Sequence, residues 1–205
     1  MNQTLKHILK RIYWAPSSTY NRIYLWLHGA KVESDLWVLG RLFVRNRGCI
    51  HIGSHVRIRS GLKTNPIGRG TRTCIQVFRG GRLLIGSDVA MSNVAISVQS
   101  SIIIQDHVMI GGGCTIYDTD FHSLNPYIRM QTKPIEEHPA TKPILIKEYA
   151  FIGAGTYLLK GAVVGRNSVV GAGSVVSGEI PDNQIWAGNP ARFIRELRPD
   201  EMRTI

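Results

Sequence analysis

The sequence has few cysteines, few acidic residues and no long apolar run, and each shortage excludes a class of protein. Only three cysteines occur among 205 residues, far apart and without a CxxC pair, so a disulfide framework is not expected. We predict three buried thiols in a reducing compartment. No stretch approaches the roughly eighteen apolar residues that span a bilayer, and the N-terminus lacks the pattern of a secretory signal. These absences favour a cytoplasmic protein.

The charge balance is strongly basic. Lys and Arg number 25 against 14 Asp and Glu, which gives a formal net charge of +11. Such a surplus favours an anionic partner, such as acidic lipid, acidic glycan, nucleic acid or a phosphorylated cofactor. Aromatic and basic residues are not interleaved and no known reader motif is present, so nucleic acid is not expected as a partner.

A six-residue repeat occupies residues 146–176. A branched apolar residue recurs at every sixth position, and a small residue follows four positions after each of the first five. The apolar positions are Ile146, Ile152, Leu158, Val164, Val170 and Val176. A period of six fits neither a helix (3.6) nor an alternating strand (2.0). It fits a chain that turns a corner every six residues, so that three hexads close one triangular coil. The repeat therefore predicts an all-β solenoid.

The chain divides into three parts around this repeat. Residues 1–38 form a basic, amphipathic segment that is predicted to be helical and to break at Pro16. Residues 39–178 hold the repeats, with an inserted loop at 117–143, and residues 179–205 end in a turn and a short helix over 191–197. The N-terminal segment can cap the open end of the solenoid, and residues 1–27 can contact an anionic membrane. The two roles are compatible.

The interruption of the repeat is the expected site of chemistry. Residues 117–143 contain prolines and show no period, and long insertions of this kind are usually functional. His122 lies in the loop, and an imidazole suits a general base because it titrates near neutrality. A carboxylate would hold its other ring nitrogen. The candidates are Asp120, Asp118, Glu136 and Glu137; the position in the loop favours Asp120, and the choice stays open.

The hexads resemble those of the hexapeptide-repeat acyltransferases, over roughly residues 40–195. Residues 116–123 resemble the catalytic-histidine loop of the maltose, galactoside and polysaccharide O-acetyltransferase branch. Residues 144–154 resemble the strand that follows this loop, and residues 180–192 resemble the C-terminal signature near the coenzyme A site. The resemblance implies a left-handed parallel β-helix, a hand that spacing cannot predict because parallel crossovers are normally right-handed.

The resemblance also implies roles for individual residues. His122 would be the catalytic base with Asp120 beside it, while Asn93 and Asp118 would bind the acceptor. The residues expected at acetyl-CoA are Phe151, Gly153, Ala154, Gly171, Ala172, Arg192 and Arg195, with Lys160 as a further candidate. Small side chains would let the pantetheine arm approach the backbone, and guanidinium groups suit phosphates. The family's active site lies between the subunits of a homotrimer.

The expected function is acetyl-CoA-dependent O-acetyl transfer to a sugar hydroxyl of a capsule, exopolysaccharide or lipopolysaccharide precursor, in the cytoplasm beside the inner membrane. The alternatives are an N-acyltransferase for an amino sugar nucleotide and a non-catalytic β-helix scaffold. A γ-type carbonic anhydrase shares the implied fold but needs three histidines on zinc. His51 and His55 have no third histidine at repeat spacing, so no metal is expected.

Overall fold

The structure is a computed structural model that describes residues 3–66, 71–130 and 139–202, and it consists mostly of short parallel strands. The strands of the first half are β1 (Lys31–Val32), β2 (Trp37–Gly40), β3 (Phe43–Asn46), β4 (Cys49–Ile52), β5 (Arg57–Ser60), β6 (Cys74–Val77), β7 (Arg82–Ile85), β8 (Ala90–Ser92), β9 (Ala95–Val98) and β10 (Ser101–Ile104). Those of the second half are β11 (Met109–Ile110), β12 (Thr115–Tyr117), β13 (Ile144–Ile146), β14 (Phe151–Ile152), β15 (Tyr157–Leu158), β16 (Val163–Val164), β17 (Val169–Val170), β18 (Val175–Val176), β19 (Glu179–Ile180), β20 (Gln184–Gly188) and β21 (Ala191–Glu196). Helix α1 spans Gln3–Leu27 and α2 spans Pro126–Arg129, and a short 3-10 helix covers Pro199–Met202.

Successive strands lie in successive sheets, so the chain passes three faces in turn. Sheet A has the order β1-β4-β7-β10-β13-β16-β19, sheet B the order β2-β5-β8-β11-β14-β17-β20-β21, and sheet C the order β18-β15-β12-β9-β6-β3. Among the strands of the described residues, every pairing is parallel except that of β20 with β21. Ile146 pairs with Val164 and Ile152 pairs with Val170. Each apolar position therefore pairs with the one three hexads later, as the six-residue spacing predicts.

The interior is filled by the apolar residues of the hexads. Ile146, Ile152, Leu158 and Val164 are completely buried, and burying a side chain of this size contributes about 1.5–3 kcal/mol. The prediction of three buried thiols is wrong for two of them, since Cys49 is exposed and Cys74 is half-buried. Cys114 is buried, and its thiol donates to the carbonyl oxygen of Gly153 at 3.1 Å.

Helix α1 corrects the prediction of two N-terminal helices. It runs through Pro16 without a break, although an interior proline costs about 3 kcal/mol. Tertiary contacts offset this cost: the Ser17 hydroxyl donates to the carbonyl of Gly40 at 2.7 Å, and the Asn21 amide donates to the same carbonyl at 2.8 Å. The first strand begins at Lys31, ahead of the position where the repeats become visible in sequence. Among the described helices, none is long and apolar enough to cross a bilayer.

The predicted C-terminal helix over residues 191–197 is wrong. Residues Ala191–Glu196 form β21, which pairs antiparallel with β20 at the edge of sheet B. The edge of a sheet presents unpaired backbone groups, and β21 satisfies those of β20. Phe193 packs edge-on against Trp186 at 6.3 Å between ring centroids, and Ala191 is buried. Pairing at this edge outweighs the local preference for a helix.

The corners need glycine where one coil lies directly on the next. A Cβ on Gly165 would lie 2.4 Å from the backbone nitrogen of Asp182 and 2.5 Å from the carbonyl oxygen of Pro181. Backbone atoms cannot move aside as a flexible side chain can. Glycine is therefore required at position 165 by the packing of the two coils, and not by a positive φ. At Gly178, by contrast, an added Cβ would meet nothing within 4 Å.

We predict that Gly165→Ala lowers the free energy of unfolding by about 1–3 kcal/mol, because overpacking forces two coils apart. Gly178→Ala is the matched control and should change it by less than about 1 kcal/mol. Chemical denaturation followed by circular dichroism measures both. Equal stabilities for the two variants would contradict the corner-packing argument.

Candidate active site

The histidine loop (residues 118–143) leaves sheet C through a neck that is tied to the coils. Asp118 is fully buried, and its carboxylate accepts the backbone N–H groups of Gln99 and Ser100, each at 2.7 Å. These two residues form the same corner one coil earlier. Thr119 then pairs antiparallel with Thr141 as the chain returns. The base of the loop is therefore fixed to the coils on both of its strands.

His122 lies just beyond this neck with an exposed side chain. Its backbone N–H donates to the carbonyl oxygen of Asp120 at 2.7 Å, which makes a tight turn. Phe121 occupies the left-handed region with φ of 63°, and its ring stands edge-on to Tyr117 at 5.0 Å. Burial and the neighbouring phenol of Tyr157 raise the pKa of Tyr117, burial being the larger cause. The imidazole is thus presented to solvent on an anchored turn.

Asp120 is held by a cation from the next coil. Its Oδ1 accepts from Nζ of Lys160 at 2.6 Å, while its Oδ2 is buried without a hydrogen-bond partner among the described residues. Lys160 was predicted as a contact for coenzyme phosphates, and the structure instead places it against Asp120. One carboxylate oxygen of Asp120 thus remains available two residues from His122.

The other three candidate partners of His122 are less suited or lie outside the described residues. Both oxygens of Asp118 accept backbone hydrogen bonds from the coil, so its carboxylate supports the neck. Glu136 and Glu137 fall in the part of the chain that the structure does not describe. Of the two described candidates, Asp120 is the one with a carboxylate oxygen that lacks a hydrogen-bond partner among the described residues, and its role beside His122 stays a prediction.

Asn93 is buried within the fold. Its Oδ1 accepts the N–H of Gly61 at 2.8 Å, and its Nδ2 donates to the carbonyl of Asn65 at 2.9 Å. The side chain therefore fixes the loop after β5. Both predicted acceptor ligands, Asn93 and Asp118, are used by the fold, and acceptor binding by either one stays a prediction.

Four of the predicted coenzyme residues, all of them small, line the corners between sheets B and C. This corner strip stacks on successive coils and comprises Gly153, Ala154, Gly171 and Ala172. A Cβ on Gly153 would lie 2.5 Å from the backbone nitrogen of Ala172. A Cβ on Gly155 or Gly173 would instead meet nothing within 4 Å. The coils are therefore packed tightly against each other here, while the outer side of the strip is open. Phe151 is exposed on β14 just before it.

The two predicted phosphate ligands differ in their surroundings. The guanidinium of Arg195 forms a double contact with Glu201, at 2.7 and 2.8 Å. Hydrogen bonds from Arg195 and from the backbone of Arg198 hold the pKa of Glu201 at about 2, and the same pair raises the pKa of Arg195. Arg192 is exposed, with one long bond of 3.4 Å to the carbonyl of Ala191. Arg192 is thus the more accessible cation for a phosphate.

One chain does not bring all the predicted residues to one place. His122 follows β12 and lies at a corner between sheets C and A, whereas Gly153 follows β14 at a corner between sheets B and C. Sheet C therefore lies between the two sets of residues on a single chain.

A groove of about 920 Å³ on the outer face of sheet B was not predicted from the sequence. One end is formed by Trp14, Trp37, Arg57, Arg59 and Asn65, and the other by Met109, Gly111, Gly112, Phe151 and Ala154. The groove therefore reaches the corner strip. A signal for it exists in the sequence, since Arg57 and Arg59 alternate with the buried Ile58 and Ser60.

The two histidines weighed for zinc lie at different places. His51 contacts Glu33 at 3.0 Å, and His55 lies between Asp35 and Asp88 at 3.6 and 3.7 Å. Over the described ranges, no group of three histidine, cysteine or acidic side chains is arranged to hold a metal ion.

Comparison with known proteins places this three-sheet coil in a recognised class. A family described as bacterial transferase hexapeptide (six repeats) matches residues 143–178. The repeats over these residues are therefore those of the hexapeptide-repeat transferases. A galactoside O-acetyltransferase of Lactococcus lactis is 33% identical over 128 residues, which cover 62% of this chain and 59% of that protein. The putative lipopolysaccharide biosynthesis O-acetyl transferase WbbJ of Escherichia coli is 26% identical over 75% of each chain.

Solved structures agree on the fold. AntD, an N-acyltransferase from Bacillus cereus in complex with dTDP and 3-hydroxybutyryl-CoA, superposes with a TM-score of 0.68 at 23% identity, covering 88% of this chain and 90% of that one. At this identity the likeness concerns the fold alone. Both curated relatives named above are called O-acetyltransferases, and this supports acyltransferase activity.

The matches extend over part of the relatives and include one other reaction class. The chain spans about 60% of the length of the curated relatives matched first. A mitochondrial γ carbonic anhydrase of Arabidopsis thaliana is 29% identical over 64% of this chain and 47% of that protein. The sequence matches therefore include a carbonic anhydrase as well as acetyltransferases, and only the site can discriminate between the two reactions.

We predict that Asp118→Asn lowers the free energy of unfolding by about 1–3 kcal/mol, because an amide nitrogen would face a buried backbone N–H. Asp106→Asn is the matched control: the Asp106 carboxylate is exposed and accepts one N–H, from Ser87 at 2.7 Å, so the loss should stay below about 1 kcal/mol. Urea denaturation measures both. A stable Asp118→Asn protein would show that the neck does not depend on this carboxylate.

Proposed function

We propose that the chain is an acetyl-CoA-dependent O-acetyltransferase that acetylates a sugar hydroxyl of a surface-polysaccharide precursor, with His122 as general base. The observation that carries the proposal is an exposed imidazole held on an anchored turn, with an unsatisfied oxygen of Asp120 nearby. The family and the names of its relatives support the reaction class. We take the coil to be left-handed, the sense that the family resemblance implies.

His122 performs the proton transfers in this proposal. One ring nitrogen takes the proton of the acceptor hydroxyl as the hydroxyl oxygen attacks the thioester carbonyl. The carbon–sulfur bond then breaks, and the imidazolium returns the proton to the departing thiolate, so that no net proton is gained or lost. A positioned base contributes about 10²–10⁴-fold to such a step. Asp120 would accept the other ring N–H and stabilise the imidazolium, and Lys160 would hold the Asp120 carboxylate in place.

The corner strip is the proposed place for acetyl-CoA. Gly155 and Gly173 leave its outer side free of side chains, so an extended pantetheine arm can approach the backbone. Phe151 would flank the arm, and the accessible guanidinium of Arg192 would meet the phosphates. Arg195 would have to exchange its contact with Glu201 for a phosphate. The small residues of the strip thus fit the co-substrate.

The separation of His122 from the corner strip favours a homotrimer. In the proposed assembly, His122 of one protomer faces the corner strip of its neighbour, which brings the base to the thioester. The family's trimeric habit supports this arrangement. Light scattering on the purified protein gives its mass in solution, and a monomer that is active would refute the shared site.

An N-acyltransferase acting on an amino sugar nucleotide is the second candidate. The superposition with AntD, an N-acyltransferase that binds dTDP, favours it. The two candidates differ in the need for a base, because an amine that is already neutral attacks a thioester without prior deprotonation. Dependence on His122 should therefore be stronger for a hydroxyl acceptor than for an amino acceptor.

The outer face of α1 supports contact with an anionic membrane. Tyr20, Ile23 and Leu27 follow the i, i+3, i+7 spacing of one helix face, and Trp26 adjoins it. Ile23, Trp26 and Leu27 are 54%, 72% and 68% exposed, and Arg22 lies beside them. Exposed apolar surface rimmed by basic residues suits the interface of an anionic bilayer. We place the protein in the cytoplasm, where such contact would bring it to lipid-linked precursors.

We predict that His122→Ala lowers kcat for acetyl transfer to a sugar hydroxyl at least about 100-fold, because the general base is lost. The KM for acetyl-CoA should change little. Thiol release from acetyl-CoA in the presence of a panel of hydroxyl and amino sugars, free or nucleotide-linked, measures both constants. His107→Ala is the control, since that exposed histidine stacks on Tyr149 at a distant corner. Full activity of His122→Ala would refute the mechanism, and no turnover with any acceptor would favour a scaffold.

We predict that the double variant Ile23→Ser, Trp26→Ser abolishes flotation with vesicles that contain phosphatidylglycerol, while Leu62→Ser, a change at an exposed leucine elsewhere, leaves it intact. Neutral phosphatidylcholine vesicles should bind more weakly, because the basic rim has no anionic partner there. Self-association through this face, with no binding to either vesicle, would show that a second copy covers it.

A further inference from the structure

Two arginines, Arg57 and Arg59, line the groove of sheet B. Arg57 and Arg59 point outward from β5, since Ile58 and Ser60 between and beside them are buried. Residues two apart on a strand lie about 6.6 Å from each other. Within the described residues neither guanidinium forms an ion pair. Two like charges held this close are stabilised by an anion that both can contact.

An aromatic wall stands beside these cations. Trp37 pairs with Arg57 across β2 and β5, and its ring meets that of Trp14 from α1 at 6.3 Å and 59°. Trp14 is almost fully buried, so it supports Trp37 from behind. The cations and the aromatic face therefore line the same part of the groove.

Polar contacts of α1 hold this wall in place. The Ser18 hydroxyl accepts the N–H of Val38 at 3.0 Å, and the Asn21 side chain accepts the N–H of Leu42 at 3.0 Å while donating to Gly40. Asn21 is fully buried with these bonds satisfied. The helix is thus docked in one register on the coils, and the shape of the groove is built into the fold.

The groove connects the arginines with the proposed acyl-donor edge. Its far end is formed by Gly111, Gly112, Phe151 and Ala154, the last two of which belong to the proposed coenzyme site. Asp35 and Asp88 also border the groove, but His55 lies between them. A ligand anchored at the arginines would therefore extend along sheet B toward the acetyl group.

We infer that Arg57 and Arg59 bind the diphosphate of the acceptor, so that the substrate class is a sugar carried on a diphosphate. The role as acceptor rests on the proposed function, whereas the diphosphate site rests on the groove alone. In this arrangement the diphosphate bridges the two guanidinium groups, and the sugar extends toward Phe151. Trp37 contacts the carrier on the other side of the diphosphate, either by stacking on the base of a nucleoside diphosphate or by packing against the prenyl chain of a lipid-linked diphosphate.

Isothermal titration of the full chain tests the site without turnover. The probes are UDP, uridine, inorganic pyrophosphate and farnesyl diphosphate. Arg57→Gln and Arg59→Gln should each weaken the binding of diphosphates about tenfold or more, since each removes a charge-assisted contact. Arg45→Gln is the matched control, because Arg45 is an exposed arginine on sheet C of the same coil. His122→Ala should bind as the wild-type protein does.

The probes also separate the two carriers. Binding of UDP that Trp37→Leu weakens about tenfold supports a nucleotide-linked acceptor. Binding of farnesyl diphosphate that exceeds that of UDP supports a lipid-linked one. Either result supports the diphosphate site. Uridine binding as tight as UDP binding would overturn it, and so would equal diphosphate affinities in Arg57→Gln, Arg59→Gln and Arg45→Gln.

The failures of the two proposals are distinguishable. A protein that binds diphosphates through Arg57 and Arg59 but transfers no acetyl group would refute the proposed function and leave the site standing. A protein that acetylates an uncharged glycoside equally well with and without these arginines, and binds no diphosphate, would overturn this inference and leave the proposed function intact.

Discussion

The structure depends on the stacking of each coil on the one before it through parallel backbone hydrogen bonds. This stacking requires every strand to meet its equivalent three hexads later, and it forces the inward residue of each hexad to be apolar. It also requires glycine at corners such as Gly165, where the next backbone lies within van der Waals contact. The six-residue period is the trace that these requirements leave in the sequence.

The coils can carry the histidine loop only if the coils before and after the loop still stack on each other. Asp118 preserves this stacking, because its buried carboxylate binds the backbone of the previous coil at the point where the chain departs. The chain can then leave, present His122, and return into register at Ile144. The position of His122, the proposed base, therefore depends on the contact that Asp118 makes with the previous coil.

The three faces of the coil carry different surfaces. Sheet B bears the groove with its arginines and ends at the corner strip, while the histidine loop emerges on the other side of sheet C. α1 docks on the coils through buried Trp14 and Leu25 together with the polar contacts of Ser17 and Asn21. Its other side leaves Ile23, Trp26 and Leu27 exposed. Because of this division, His122 and the corner strip proposed for acetyl-CoA lie on different sides of one chain. For this reason we propose that a neighbouring protomer completes the site.

Local sequence determined the six-residue period, the parallel coil and the place of the histidine loop. The apolar residue of each hexad marks the position that points inward, and the loop is visible because the period is lost there. Sequence also identified Asp120, Phe151 and the small residues of the corner strip as candidates. Tertiary structure alone decided the unbroken α1, since contacts of Ser17 and Asn21 with β2 offset the cost of Pro16. It likewise decided that residues 191–196 form a strand, because the edge of β20 needed a partner. It separated Asp118 and Asn93, used by the fold, from Asp120, and it united Trp14 with Arg57 and Arg59 in one groove. These outcomes rest on contacts between residues distant in the chain, which no local pattern encodes.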